Sequence, residues 1–170
     1  MRDGKLQIGL VGCGGIANNK HLPALSKMKE LCEIIGFCDI IEERAAKAAK
    51  EYGTEDAKVY TDYKEMYKDG NIDVIHVLTP NVLHCAATTA AFEAGKHVMC
   101  EKPMAHNTED AEKMLDAWKK SGKKFTIGYQ NRFRPEVQNL KKACEAGDLG
   151  DIYYGKAHAV RRRAVPTWGV

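Results

Sequence analysis

Closely spaced glycines follow the first apolar run of the chain in a pattern that suits phosphate binding. Residues 6–11 are mainly apolar and lead directly into Gly12-Cys13-Gly14-Gly15-Ile16-Ala17. A tight turn after a strand requires Gly12, close approach of the backbone to a pyrophosphate requires Gly14, and a small residue such as Ala17 lets the next helix pack on the strand. Glycine pairs also end many strands for conformational reasons, so the turn alone leaves both interpretations open.

A carboxylate lies where a dinucleotide would need one. The second apolar run, residues 33–38, ends at Asp39, about 20 residues beyond the turn, where an acid that binds ribose hydroxyls belongs. The alternative is that Asp39 is an ordinary polar residue at a strand end. Both signals occur in one unit of strand, helix and strand, and together they favour dinucleotide binding.

Polar groups also follow later strand-like runs, at Thr79-Pro80-Asn81, Glu101-Lys102-Pro103 and Gln130-Asn131-Arg132. Each group alone has a simpler interpretation as a turn or an exposed loop. Because the carboxyl ends of parallel strands meet at one edge of a sheet, we expect all of them to converge with the glycine turn. That convergence predicts a ligand site.

The elements that must position these residues alternate between short β-like runs and helical segments. This alternation predicts a Rossmann-type α/β fold, a doubly wound parallel sheet with flanking helices. The predicted strands are 6–11, 32–38, 58–60, 73–78, 96–100 and 124–128. The predicted helices are 18–29, 42–52, 62–68, 85–94, 108–121 and 135–146.

The chain is expected to divide near residue 128. Residues 1–128 would form the dinucleotide-binding domain, and residues 129–170 a connecting helix followed by the start of a truncated α+β domain for substrate binding or dimerisation. Residues 152–162 form one long β-rich stretch, which we interpret as the first strand of that second domain. A single strand needs partners to be stable.

Composition narrows the class of protein. The 170 residues are 44% hydrophobic and 29% charged, with a net charge of +3 whose carriers are scattered, so we expect no nucleic-acid partner. No stretch reaches the roughly 18 apolar residues of a membrane span, and we expect a cytoplasmic protein. The six cysteines show no C-x-x-C spacing, which favours reduced core residues and argues against a metal site.

Four motifs together resemble the N-terminal half of the Gfo/Idh/MocA oxidoreductases, the family of glucose-fructose oxidoreductase and inositol dehydrogenase. They are Gly9-Leu10-Val11-Gly12-Cys13-Gly14-Gly15-Ile16-Ala17, Leu78-Thr79-Pro80-Asn81-x-x-His84, Glu101-Lys102-Pro103 and Gly128-Tyr129-Gln130-Asn131-Arg132-Phe133. The Glu-Lys-Pro tripeptide is the most specific of them.

The resemblance implies a phosphate site and a preference between two cofactors. Amides around Gly14, Gly15 and Ile16 would hold the pyrophosphate, and Asp39 would bind the adenine ribose. A carboxylate there repels a 2′-phosphate, so NAD is favoured over NADP, while Arg44, one turn into the next helix, keeps NADP open.

The resemblance also implies an inner wall for the nicotinamide half. Thr79, Pro80, Asn81 and His84 would line it, with Asn81 and His84 nearest the nicotinamide. The alternative for His84 is an ordinary core or surface histidine.

The same resemblance implies roles for two residues of the Glu-Lys-Pro tripeptide. Glu101 would contact the nicotinamide ribose. Lys102 would be catalytic, with its ammonium hydrogen-bonded to the reacting hydroxyl. The acid/base histidine of the family lies in the second domain, and His158 comes too early for that motif.

Two further assignments are open. Gln130 stands where the family more commonly has asparagine, and a role toward the carboxamide or ribose remains plausible for its longer amide. Trp168, after Arg161-Arg162-Arg163, resembles a segment that folds over the cofactor in some members, and a solvated basic strand end is an equal alternative.

The leading hypothesis is therefore an NAD(P)-dependent oxidoreductase that moves hydride between nicotinamide and a hydroxyl or carbonyl of a sugar, cyclitol or polyol. This chain would be its cofactor-binding portion, inactive alone, in a homo-oligomer formed through the C-terminal sheet. The alternatives are a dinucleotide-binding module or fragment without turnover, and an NAD-dependent glycosidase of the same family.

Overall fold

The computed structural model of the chain describes residues 1–160. Apolar strands, which alternate with helices along the chain, form a single parallel sheet. The six strands have the spatial order β3-β2-β1-β4-β5-β6 and pair in parallel throughout. They are β1 Leu6–Val11, β2 Cys32–Cys38, β3 Lys58–Tyr60, β4 Val74–Val77, β5 His97–Cys100 and β6 Phe125–Ile127. The predicted doubly wound Rossmann sheet is confirmed, with strand ends shortened by up to two residues.

Helices connect the strands and cover both faces. They are α1 Leu22–Leu25, α2 Glu42–Tyr52, α3 Tyr63–Tyr67, α4 His84–Glu93, α5 Thr108–Ser121 and α6 Pro135–Glu145. A π-helical turn, Ala17–His21, precedes α1, and 3₁₀ turns occupy Asn81–Leu83 and Gln130–Phe133.

The core consists of two apolar clusters, because strand side chains alternate between the two faces of a sheet. One cluster joins residues such as Leu10 and Phe37 to α1 and α2 through Leu22 and Ala45. The other cluster includes Ile75, Val77, Val98, Phe92 and Met114, from β4, β5, α4 and α5. Burial on both sides explains why these strands are continuously apolar.

The strand order reverses between β1 and β4, which are neighbours in the sheet. Chain segments leave these two strands side by side, and the Leu78 amide donates to the Val11 carbonyl at 2.8 Å. In open α/β sheets, a ligand binds outside the carboxyl ends of the strands at this reversal. The glycine turn follows β1 at that position.

The first helix differs from its predicted extent. The sequence pattern predicts one helix over 18–29, whereas the chain makes the π-helical turn and then only the four residues of α1. Pro23 lies in the first turn of α1, where its missing N–H is tolerated.

Local geometry explains several helix positions. Gly53 ends α2 with a φ of −77°, and a Cβ there would lie 2.6 Å from the Ala49 carbonyl oxygen, which requires glycine for space. In α5, Met114 is fully buried, whereas Leu115 is exposed. The α5 helix is capped at both ends, since Asn107 accepts from the Asp110 amide and Gly122 has a φ of +65°.

The chain divides into two compact units, Met1–Gly128 and Tyr129–Val170. The first contains the whole sheet. The described part of the second contains the 3₁₀ turn and α6, and none of its residues up to 160 is buried.

The long strand predicted over 152–162 is not formed where the structure describes it. Residues 152–160 have no regular structure and are exposed. A β-rich segment forms a strand only when a neighbouring strand completes its hydrogen bonds. The last two predicted strand residues lie outside the described range.

Between residues 1 and 160, no helix combines the length and the apolar composition needed to cross a membrane.

Candidate nucleotide site

The glycine turn has the geometry of a phosphate cradle. Gly12 has a φ of +97°, and a Cβ there would lie 2.7 Å from the Leu78 carbonyl oxygen, so only glycine allows the two crossing segments to approach. A Cβ on Gly14 would meet nothing within 4 Å, which leaves open space above its backbone. The two glycines thus do different things: Gly12 permits the turn, and Gly14 keeps the approach clear.

Two amides precede the first hydrogen bond of the helical segment that follows the glycine turn. The first hydrogen bond within it runs from the Asn18 amide to the Gly14 carbonyl at 3.1 Å. The amides of Gly15 and Ile16 precede that bond, as the first N–H groups of a helix always do, and such amides bind anions. These residues fit the pyrophosphate of a dinucleotide.

Asn18 stabilises the turn from behind. Its side-chain Nδ2 donates to the Cys13 carbonyl at 2.7 Å and to the Gly14 carbonyl at 2.8 Å. Sequence reasoning did not identify Asn18. An asparagine seven residues after the strand, close enough to bond back to a glycine turn, is the signal that could have found it.

Asp39 lies at the end of β2 and faces the glycine turn. Its Oδ2 accepts from the Cys13 amide at 2.8 Å and its Oδ1 accepts from the Ile41 amide at 3.0 Å. The side chain is nearly buried, and each oxygen keeps a lone pair for another donor. Asp39 therefore fixes the turn as well as offering acceptors at its edge.

The loop after β4 carries Thr79, Pro80 and Asn81. Thr79 Oγ1 is buried without a hydrogen-bond partner among the described residues. Asn81 is exposed at the start of its 3₁₀ turn. This loop therefore brings one exposed amide side chain, on Asn81, and one unsatisfied hydroxyl, on Thr79, to the sheet edge.

His84 is inside the protein rather than facing outward. It is 1% exposed, with Nδ1 at 2.7 Å from the Pro103 carbonyl oxygen and Nε2 at 3.0 Å from the Thr79 carbonyl oxygen. A neutral ring donates to one of these carbonyls at a time, and a protonated ring to both. Both nitrogens are occupied, so His84 joins the loops after β4 and β5. That it lies near the nicotinamide half stays a prediction.

In the tripeptide after β5, the carboxylate of Glu101 is held by hydrogen bonds, whereas the ammonium of Lys102 is free among the described residues. Glu101 Oε2 accepts from the Lys102 amide at 3.0 Å, and Glu101 Oε1 lies 2.8 Å from Nε2 of His21. Lys102 is exposed, and its Nζ has no partner among residues 1–160. The lysine is thus available to a ligand at the same edge as the glycine turn.

His21 was also missed by sequence reasoning. It ends the π-helical turn, and its contact with Glu101 spans 80 residues of sequence. A single polar residue in a predicted amphipathic helix gives no signal of such a long-range partner.

Two predicted residues lie outside the first unit. Gln130 begins the 3₁₀ turn of the second unit and is exposed. Trp168 lies outside the described residues, as do the three arginines before it.

The cysteines near the turn are not nucleophiles. Burial, with a smaller effect of the nearby Asp39 carboxylate, raises the pKa of Cys13 and of Cys38 to about 12. Burial likewise raises the pKa of Cys100 to about 12. These thiols remain protonated at neutral pH and behave as core residues, as their apolar surroundings in the sequence predict.

A family model described as "Oxidoreductase family, NAD-binding Rossmann fold", the Gfo/Idh/MocA family, matches residues 6–129. The chain belongs to the Gfo/Idh/MocA oxidoreductase family. The match includes every element of the sheet, from β1 to β6. The resemblance that the sequence motifs indicated, and the expected NAD-binding domain, are both confirmed.

Curated relatives of this family member are dehydrogenases. The chain is 36% identical to D-glucoside 3-dehydrogenase of Escherichia coli (strain K12) over 170 residues, which are 100% of this chain and 48% of the relative. It is 34% identical to inositol 2-dehydrogenase of Salmonella typhimurium (strain LT2) over 146 residues, 85% of this chain and 43% of the relative. The chain therefore spans about half the length of the relatives it matches.

Solved structures of family members superpose closely. The WlbA dehydrogenase from Bordetella pertussis, in complex with NADH and UDP-GlcNAcA, has a TM-score of 0.81 at 35% identity, over 88% of this chain and 44% of that one. Scyllo-inositol dehydrogenase from Lactobacillus casei, with NAD(H) and scyllo-inositol bound, has a TM-score of 0.79 at 26% identity, over 86% and 43%.

Proposed function

We propose that this chain binds NAD at the carboxyl edge of its sheet and forms the cofactor half of a dehydrogenase. The observation that carries the proposal is the meeting of three features at that edge. They are the open backbone at Gly14, the carboxylate of Asp39 against the same turn, and the unpartnered ammonium of Lys102 after β5.

Each residue has a distinct task in this proposal. The amides of Gly15 and Ile16 bind the pyrophosphate, and Asp39 accepts from the hydroxyls of the adenine ribose. Glu101 accepts from the ribose next to the nicotinamide. Thr79, Pro80 and Asn81 form the wall between the two riboses.

Lys102 acts on the substrate rather than on the cofactor. Bound NAD supplies a hydride acceptor at its nicotinamide ring. The Lys102 ammonium donates a hydrogen bond to the substrate oxygen and stabilises the negative charge that develops as the hydroxyl proton leaves. The residue that removes this proton is assigned to the second domain.

The proposed substrates are sugars, cyclitols or related polyols. The relatives whose names state an activity oxidise glucosides and inositols. A lysine that donates to a hydroxyl oxygen suits this class of substrate. The discrimination among polyols is assigned to the second domain.

Calorimetric titration of the chain with NAD and with NADP tests the cofactor assignment. We expect NAD to bind at least about tenfold more tightly, because the Asp39 carboxylate repels a 2′-phosphate. Equal affinities for NAD and NADP, or tighter binding of NADP, would contradict the assignment of NAD. Arg44 would then be the residue that determines the cofactor preference.

Asp39→Ala by itself is ambiguous, since the carboxylate also fixes the amides of Cys13 and Ile41. We therefore pair it with NAD that lacks the 2′-hydroxyl of the adenine ribose. The wild-type chain should bind this analogue more weakly than NAD, whereas Asp39→Ala should bind both equally. A variant that still distinguishes the two ligands would remove Asp39 from ribose binding.

A second candidate is a dinucleotide-binding module without turnover, since the features suited to nucleotide binding lie within residues 6–129, which the NAD-binding family model matches. The two candidates differ in the longer protein. A full-length gene product that forms NADH with a polyol supports the dehydrogenase, and one that binds NAD but turns over no polyol in a broad panel supports the module.

We also propose a homo-oligomer formed through the C-terminal sheet, in the cytoplasm. The length of the relatives supports the presence of such a domain, and six free cysteines are typical of a reducing compartment. Light scattering and cell fractionation of the full-length protein test these two points.

A further inference from the structure

A shielded contact joins the first helical turn to the tripeptide after β5. His21 Nε2 lies 2.8 Å from Glu101 Oε1, and the two side chains are only 11% and 13% exposed. A hydrogen bond to a carboxylate at this distance is among the stronger ones in proteins, and low exposure reduces its screening by water. It is the one direct side-chain contact described between these two loops.

The π-helical turn places His21 in this position. The Leu22 amide bonds to the Ala17 carbonyl, five residues back, instead of four as in an α-helix. Each residue of a helix turns the chain by about 100°, so one extra residue in the turn changes which side chain faces the sheet edge. Asn18 anchors the start of the same turn on the carbonyls of Cys13 and Gly14.

His76 of β4 supports the His21 ring. The two rings meet edge to face, with centroids 5.6 Å apart and an interplanar angle of 88°. Burial, and to a smaller extent the nearby His21, lowers the pKa of His76 to about 3. His76 is therefore an uncharged aromatic support at neutral pH, and the hydrogen bond to the carboxylate belongs to His21.

The Glu101 carboxylate is also held at its other oxygen. Its Oε2 accepts from the Lys102 amide at 3.0 Å. The space beside Oε1 is narrow, since a Cβ on Gly128 would lie 3.2 Å from it. Each carboxylate oxygen thus makes one protein contact and keeps a lone pair for a ligand hydroxyl. An unrestrained glutamate would lose rotamer freedom on binding, whereas this one is already ordered.

We propose that His21 is a positioning residue that orients Glu101 to accept from the vicinal hydroxyls of a ribose and that steadies the backbone at Lys102. The inference rests on the proposed function, since the ribose is the one next to the nicotinamide of NAD. His21 itself touches Glu101 and no part of the ligand.

A comparison of NAD binding with ADP binding distinguishes this role of His21 from a general loss of structure. NAD contains the second ribose, and ADP contains only the part that the glycine turn and Asp39 would hold. His21→Leu should weaken NAD binding by about tenfold, the effect of one lost charge-assisted hydrogen bond, and leave ADP binding unchanged. His21→Gln, whose side-chain amide can still donate to Glu101, should restore NAD affinity to within about threefold of wild type.

A second variant perturbs the carboxylate without touching the histidine. Gly128→Ala places its Cβ 3.1 Å from Met99 Cε and 3.2 Å from Glu101 Oε1, so both side chains must shift by a few tenths of an ångström, and the shift of the carboxylate should give the same selective loss of NAD affinity. His158→Leu, at an exposed position in the second unit, is the matched control and should change neither ligand. In the ligand-free chain, the ¹H–¹⁵N amide resonance of Lys102 should shift in His21→Leu and stay near its wild-type position in His21→Gln.

The outcomes are distinct. If the wild-type chain binds ADP but not NAD, or neither, the proposed function fails and the inference fails with it. If wild type binds NAD and His21→Leu binds it equally well, or loses ADP and NAD to the same extent, the inference alone is overturned. If His21→Leu does not fold, Gly128→Ala provides the test. Unchanged NAD affinity in Gly128→Ala would then overturn the inference.

Discussion

At the scale of single residues, the site depends on where side chains are absent as much as on where they are present. Gly12 and Gly14 are two residues apart and serve opposite needs. Gly12 lies against the crossing Leu78 segment with a positive φ, whereas the space beside Gly14 is open. One glycine is required by the fold and the other by the ligand.

Alanine substitutions at Gly12 and Gly14 distinguish the glycine required for stability from the glycine required for NAD binding. Gly12→Ala should lower the free energy of unfolding by about 3 kcal/mol, through left-handed strain and the contact with Leu78. Gly14→Ala should stay within about 1 kcal/mol of wild type and weaken NAD binding by about tenfold or more. Urea denaturation and calorimetry measure the two quantities. A strongly destabilised Gly14→Ala, or one that keeps full NAD affinity, would contradict the division.

Lys102 gives a second prediction at this scale, made for the full-length enzyme. Because its ammonium is exposed and unpartnered in the described chain, Lys102→Ala should lower kcat by about ten- to hundredfold or more and change NAD affinity little. Steady-state kinetics and NAD titration provide the measurements. Lys119→Ala, at an exposed position in the last turn of α5, is the control. Unchanged turnover in Lys102→Ala would remove this residue from the reaction.

At the scale of elements, the strands determine which groups share the edge, and the turns determine which way they face. β4 and β5 are adjacent and parallel, so the loops after them are neighbours, as the sequence pattern predicts. Within those loops, His84 points inward to two carbonyls while Asn81 is exposed. The 3₁₀ turn between them, which periodicity did not predict, separates their orientations.

His76, a partly buried histidine of β4, predicts a pH dependence of stability. Burial lowers the pKa of His76 to about 3 in the folded chain, against about 6.5 when unfolded. Below pH 6.5 the unfolded state therefore binds a proton that the folded state does not, and stability falls as the pH falls. The loss stops increasing near pH 3, where the folded state is protonated too.

Replacing the His76 ring with a phenyl ring, which does not titrate, isolates the contribution of His76 to the pH dependence of stability. Between pH 7.5 and 5, wild type should lose about 2 kcal/mol more of its free energy of unfolding than His76→Phe, which keeps an aromatic edge against His21. Urea denaturation at each pH measures both chains. Parallel curves for wild type and His76→Phe would show that His76 is not protonated on unfolding.

At the scale of the whole molecule, burial is concentrated in the first unit. Every buried residue of the described chain lies between residues 7 and 114, and both apolar clusters belong to Met1–Gly128. The α6 helix, by contrast, exposes Val137 and Leu140. The described part of the second unit has no core of its own.

A chain ending at Gly128 should therefore fold independently. Since no described residue beyond 128 is buried, we expect its free energy of unfolding to lie within about 1 kcal/mol of the full 170-residue chain. Urea denaturation compares the two. NAD titration of the same pair tests Gln130 and Trp168, because a loss of affinity without a loss of stability would assign one or both to the cofactor. A shortened chain that fails to fold cooperatively would place the domain boundary elsewhere.

The sequence by itself determined the strands, the glycine turn, the parallel sheet and the family. These depend on local patterns, since apolar runs, glycine spacing and motif residues are readable from neighbours in the chain. It also identified which residues arrive at the sheet edge, because parallel strands bring their carboxyl ends together.

Only the tertiary structure decided which way those residues face. Asp39 turns to the Cys13 amide, His84 is enclosed by two carbonyls, and His21 reaches Glu101 across 80 residues. Such contacts depend on packing between distant segments and on one extra residue in a π-helical turn. The free-energy differences among local helix types are small, so tertiary packing selects among them, and a local pattern cannot.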